Sequence, residues 1–116
     1  MSKEIMDFNY EGKMYDVSYV DKHVYIYAVK DRLSGLVVSQ LIPCANDFIA
    51  CIGFKDFCEK RKAENDLNVY RLIRIACWNT EKIEFVDTDR VELFDSSDDL
   101  QKFIDEAKSY ILSQED

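Results

Sequence analysis

Along the first forty residues, apolar and aromatic side chains fall in short runs or alternate with polar ones; after Pro43 they recur every three or four residues. A period near two marks strands and a period near 3.6 marks helices, so the chain is predicted to pass from β to α structure there. Residues 5–10 and 14–20 flank Glu11-Gly12-Lys13, whose glycine suits the tight turn of a hairpin. The run from Val24 to Val29, rich in β-branched and aromatic residues, predicts a third strand. Lys30 to Gly35 reads as a turn into a fourth, Leu36 to Ile42, which Pro43 closes because it has no N–H for a ladder.

Asn46 or Asp47 then offers an N-cap for a helix from Phe48 to about Ala63. Its buried face is marked by Ala50, Cys51, Phe54, Phe57 and Cys58. Gly53, which costs a helix interior about 1 kcal/mol, suggests a close approach to the sheet. Asn65-Asp66 ends the helix, and Val69 to Trp78 is the strongest strand pattern in the chain. Asn79 to Lys82 turns it into a strand over Ile83 to Val86, with a short extension from Arg90 to Leu93. Ser96, Ser97 or Asp98 caps a second helix over 98–113, where Leu100, Phe103, Ile104, Ala107 and Ile111 form one stripe. The order β-β-β-β-α-β-β-α predicts a single α+β domain, an antiparallel sheet with two helices packed on one face.

Composition narrows the class. The 116 residues are 47% hydrophobic and 33% charged, with 3 Gly and 1 Pro, which supports a packed core and excludes disorder or repeats. No apolar run approaches the ~20 residues of a membrane helix. The first residues lack a signal-peptide core, so the cytoplasm is the expected compartment, with no membrane partner. Cys51 and Cys58 lie seven residues apart on the predicted helix, about 10 Å along its axis and beyond disulfide reach. Zinc ligands usually pair at shorter spacing, and the only histidine, His23, is remote. Cys44, Cys51, Cys58 and Cys77 are therefore expected to be buried thiols, with no metal and no cofactor.

Charge is where the chain is unusual. Residues 84–116 hold 11 acidic and 3 basic side chains, whereas residues 1–83 hold 12 of each. No catalytic constellation accompanies this: there is no Gly-rich phosphate loop, and His23 is expected to be exposed at a strand start. The carboxylates fall on turns and helix faces rather than as an acid–base pair, so no enzymatic activity is expected. One candidate surface is basic: Lys55, Lys60, Arg61 and Lys62 on the first helix, with Arg71 and Arg74 on the next strand. An offset of three puts those two arginines on opposite faces of a regular strand, so without a bulge only one can join a patch. With Tyr70 and Trp78 to stack on bases, residues Lys55, Lys60, Arg61, Lys62 and Arg74 make a candidate single-stranded DNA surface.

The pI near 4.6 counts against that surface. The alternative is that Asp98, Asp99, Asp105 and Glu106, within the acidic segment 84–116, dock on a basic host protein through charge-steered association. An exposed sheet edge rich in β-formers also admits a homodimer through strand pairing.

The stretch from Val24 to Phe94 resembles the small non-structural protein of gokushovirus-type microviruses, single-stranded-DNA phages. The matching phrases are Tyr27-Ala28-Val29-Lys30-Asp31 at the end of a strand and Asn46-Asp47-Phe48-Ile49-Ala50-Cys51-Ile52-Gly53-Phe54 at the start of the helix. Tyr70-Arg71-Leu72 opens the following strand, and Trp78-Asn79-Thr80-Glu81-Lys82 forms an aromatic-polar turn. An arginine common in the family's helix is replaced here by Ile52 or Gly53. The resemblance implies a DNA-binding, replication-stage phage accessory protein without enzymatic activity, acting in the bacterial cytoplasm. That role would fall on the basic residues of the first helix and the strand after it.

Overall fold

Glu11 and Gly12 both take positive φ, 51° and 83°, the two-residue turn whose twist matches that of paired strands. They join β1 (Asp7–Tyr10) to β2 (Lys13–Asp16). The computed structural model describes residues 7–18, 23–64, 70–87, 90–96 and 98–114, with all side chains there except those of 62–64, 86 and 87. After the hairpin come β3 (His23–Asp31), β4 (Ile42–Cys44), α1 (Asp47–Glu64), β5 (Tyr70–Asn79), β6 (Glu84–Asp87), β7 (Val91–Asp95) and α2 (Leu100–Ser113). The fold is α+β, with antiparallel sheets and two helices, as the pattern predicts. The order differs by one strand, because the extension at 91–95 is a strand in its own right. Of the residues assigned above, Ile5, Met6, Tyr19, Val20, the Asn65-Asp66 helix break, Val69 and Ser97 lie outside the described residues.

The hairpin forms a two-stranded sheet of its own rather than extending the main one. An isolated hairpin is marginal in water, so its stability comes from packing. Tyr15 stacks on Phe94 at 5.1 Å between ring centroids, and Tyr10 meets Phe103 of α2 edge-on at 5.2 Å. Phe103 is fully buried and, with Leu100, Ala107 and Ile111, fulfils the predicted stripe of α2.

In the main sheet β5 is central. It pairs with β3 along its whole length, while β6 and β7 lie in tandem on its other side and β4 flanks β3. Ile75 has no partner on β3, since Arg74 faces Tyr27 and Ala76 faces Ile26. This bulge turns the strand so that Leu72, Arg74 and Cys77 share a face with Tyr25, Tyr27 and Val29. Those β3 residues pack against the helices; Arg71 points the other way.

Three predicted boundaries shift for identifiable reasons. The predicted strand from Leu36 to Ile42 is reduced to β4 plus one bridge between Lys30 and Val37, so Leu36, Val37 and Leu41 are exposed. Pro43 lies inside β4, opposite Ile26, instead of closing the strand. A proline fits there only because β4 is an edge whose nitrogen at that position faces outward, which also removes a donor that another strand would need. The cap of α2 is Asp99, whose Oδ1 accepts the Lys102 amide at 3.1 Å. Asp98 instead accepts the Asp95 amide and Ser96 Oγ accepts the Tyr70 amide, so a local bond and a long-range one commit two cap candidates that precede Asp99.

Gly53 makes no close approach: a Cβ there would meet nothing within 4 Å. Gly53→Ala is therefore expected to raise stability by about 0.5–1 kcal/mol through helix propensity. The change should appear as a higher urea midpoint with an unchanged slope.

Candidate functional site

The first residue of α1, Asp47, is fully buried, and three elements send donors to it. Arg74 Nη1 of β5 lies 2.6 Å from Oδ2, the Tyr27 hydroxyl of β3 donates to Oδ1 at 2.6 Å, and the Asp16 amide of β2 donates at 2.8 Å. Asp16 is buried beside it and accepts the Ser18 amide at 2.9 Å, the Ser18 hydroxyl at 2.6 Å and the Tyr25 hydroxyl. The Arg74 guanidinium lies over the Tyr25 ring at 4.8 Å. Asn46 completes the cluster: it caps α1 through the Ile49 amide and donates to the Ser18 carbonyl. Asn46, not Asp47, is thus the cap, which frees the Asp47 carboxylate for long-range partners.

The electrostatics follow from burial. Tyr27 is held far above the usual tyrosine pKa by burial, then by the Asp47 charge and its hydrogen bond; Tyr25 by burial and its bond to Asp16. Burial works against the Arg74 cation, but the pairing with Asp47 outweighs it and holds the guanidinium pKa above its ordinary value. Arg74, a candidate for phosphate contact, is committed to this ion pair with only 20% of its side chain exposed.

The other basic candidates do not converge. Lys55 pairs with Glu59 at 2.6 Å and borders the N-terminus of α2; Lys60 pairs with Asp56 at 2.9 Å on the opposite flank of α1. Arg61 lies over the Phe57 ring at 5.1 Å, and the Lys62 side chain is outside the description. Tyr70 packs edge-on against Phe57 and Trp78 edge-on against Phe85, so both rings are already in contact with neighbours. Arg71 pairs with Glu92 at 3.0 Å on the face away from the helices.

The acidic candidates do converge, and with a residue the sequence did not mark. Two adjoining clefts of about 590 and 330 Å³ run between the hairpin and α2. Asp105 and Glu106 line the first, Asp98 and Asp99 the second, and Tyr10, Glu11 and Lys102 border both. Burial raises the Tyr10 pKa, and Glu11, Glu106, Asp99 and Asp98 raise it further, so four carboxylates bear on one hydroxyl. Glu11 escaped notice because it reads as a turn residue, and only the docking of the hairpin brings it to α2.

His23, expected to be exposed, is half-buried, and its Nδ1 has no hydrogen-bond partner among the described residues. The four cysteines are free, Cys51 and Cys77 buried and Cys44 and Cys58 half-buried; burial pushes the Cys58 thiol up to about 12. Among the described residues no group of three or more His, Cys, Asp and Glu side chains is arranged to hold a metal ion, and no helix is long and apolar enough to cross a membrane. No protein-family model matches the chain, no curated protein matches it, and no solved structure matches it.

Asp47→Ala is expected to destabilise the fold by about 3–5 kcal/mol, since it leaves a part-buried guanidinium, a hydroxyl and an amide without their acceptor. Urea unfolding measures this, and Arg74→Met should cost a similar amount, because it leaves the fully buried Asp47 carboxylate, with Asp16 beside it, without a counter-ion. Alkaline behaviour gives a second check. Tyr15, Tyr25 and Tyr27 have folded pKa values raised above the ordinary 10, chiefly by burial. Their contribution is intact below pH 10 and is lost as the pH rises past it, because the unfolded chain releases those protons first. Unfolding free energy should therefore fall above pH 10, tyrosinate absorbance should appear together with unfolding, and Tyr27→Phe should flatten the dependence.

Proposed function

We propose that the protein is a non-enzymatic docking module that holds a basic segment of another protein in the acidic clefts between the hairpin and α2. The observation that carries this reading is the convergence of Glu11 with Asp98, Asp99, Asp105 and Glu106 around Tyr10. Among the described residues, only Lys13 and Lys102 offset these five acids along the two clefts. The cleft floor is aromatic, with Phe8 and Tyr10, so a guanidinium can meet both carboxylates and ring faces. Long-range attraction to the acidic third would steer a cationic partner into place.

The resemblance to microvirus non-structural proteins gives this reading a setting, an accessory that recruits or inhibits a basic host protein in the bacterial cytoplasm. Binding of single-stranded DNA by Lys55, Lys60, Arg61, Lys62, Tyr70, Arg74 and Trp78 has weaker support. Its described cations are paired or stacked within the molecule, and a phosphate backbone would meet the field of the acidic face.

A labelled peptide rich in Arg and Lys should bind with a dissociation constant in the micromolar range, weakening as salt rises. Replacing Asp98, Asp99 and Asp105 by Asn and Glu106 by Gln should weaken it at least tenfold; the Asn at position 99 still caps α2. Lys60→Gln with Arg61→Gln should leave it unchanged. Tighter binding of a single-stranded oligonucleotide, lost in that second variant, would overturn the reading.

A further inference from the structure

We infer that the sheet face turned away from the helices is the contact surface of a homodimer, in which two copies pack face to face. This inference is independent of the acidic clefts and rests on different residues. The strand registers put Val24, Trp78 and Phe85 side by side in one row of that face, and Ile26 and Ala76 in the next. Ile73 follows between Ala28 and Glu92, and the last row, Lys30 beside Arg71 and Asp95, is charged throughout. An antiparallel sheet with one wetted face alternates apolar and polar residues; strands apolar at every position belong to sheets covered on both sides. Here the first part of β3, Val24-Tyr25-Ile26-Tyr27-Ala28-Val29, has no charged residue before Lys30, yet the core that packs under the helices contains Tyr27 and Val29 and not Val24 or Ile26. Ile73 and Trp78 are likewise outside that core; these four side chains are half-buried, while Ala28 and Ala76 between them are buried. Phe85 is 56% exposed, and Ile83 beside it is 76% exposed with φ of 54°, a conformation that is costly for a β-branched residue.

Charge selects the occupant. A chain of net charge −8 repels its own copies, and Asp98, Asp99, Asp105 and Glu106 all lie at the clefts of α2. At the charged end of the outer face, Arg71 and Arg32 are matched by Glu92 and Asp95. Among the described residues Lys30 alone has no acidic partner there, so two copies meeting on the outer faces oppose little like charge, and the two carboxylates on the face are already paired and leave little for a basic partner. Size agrees. Four strands about 4.8 Å apart and the nine residues of β3 at about 3.3 Å each span about 19 by 30 Å. β4 fills only three residues of that span, so two such faces bury on the order of 1,000 Å², the size of a weak, reversible interface. Pro43 disfavours the other route, strand pairing at the β4 edge, by removing a donor there.

Trp78, the chain's single tryptophan, lies within the proposed interface and reports on it directly. Sedimentation equilibrium of the full chain from about 1 to 200 μM should show a monomer–dimer equilibrium, with Trp78 emission shifting to the blue as dimer forms. Phe85→Glu, at an exposed position, should weaken the dimer at least tenfold while circular dichroism stays unchanged, and Ile26→Lys should abolish it. Should Ile26→Lys fail to fold, Phe85→Glu and the emission shift still decide. A monomer at every concentration would overturn the inference. So would a dimer indifferent to Phe85→Glu, or one lost instead on Leu36→Asp with Leu41→Asp in the exposed β3–β4 connection.

Discussion

A carboxylate shut away from water needs partners, and Asp47 draws its partners from three elements that are distant in sequence. Leaving one member of such a buried pair alone costs several kcal/mol, a large share of the 5–15 kcal/mol that holds a domain together. The arrangement that satisfies Asp47 therefore fixes much else. The Asp16 amide must come up from the hairpin, the Tyr27 hydroxyl from the middle of β3 and the Arg74 guanidinium from β5. Once they meet, the hairpin lies against α1 and the aromatic rings of Tyr10 and Tyr15 are brought onto Phe103 of α2. The acidic clefts exist because of this tether, since Glu11 reaches α2 only where the hairpin is held.

Much of the fold was legible along the chain, for physical reasons. Glu11-Gly12 announces a tight turn, and the stripe from Leu100 to Ile111 announces a helix with one buried face, because backbone geometry and burial periodicity are local properties. The β4 boundary was not legible: Leu36 to Ile42 has the composition of a strand, but a strand needs a neighbour, and the neighbouring edge of β3 accepts only a bridge at Val37 and the residues of β4. The bulge at Ile75, which brings Arg74 and Cys77 to the same face, also leaves no mark in the local pattern. Asp47 read as a cap candidate like any other, because nothing nearby in sequence tells that its acceptor oxygens are claimed by residues 20 to 31 positions away.

The same division holds for function. That the acids of the last third form a surface was visible in composition alone, while their meeting with Glu11 was not. Lys55 and Lys60 are spread for a reason helix geometry supplies: they are five positions apart, over a third of a turn round the axis, and each has an acid one turn away. Helix α1 thereby neutralises itself, and the chain's net charge of −8 is left to residues 84–116, four of whose acids line the clefts. Among the described residues the surface divides into acidic clefts, a self-paired helix and an outer sheet face that is largely apolar.

Native-state hydrogen exchange at the Asp16 amide tests the role of Asp47 most directly. That amide belongs to a two-stranded hairpin, which alone would open readily, and its bond is to a side chain rather than to a ladder. If Asp47 tethers the hairpin, the Asp16 amide exchanges only with global unfolding, at the same free energy as the slowest amides of β5. Exchange at a much lower free energy, with β5 still protected, would mean that the hairpin opens independently and that the clefts are not a fixed surface.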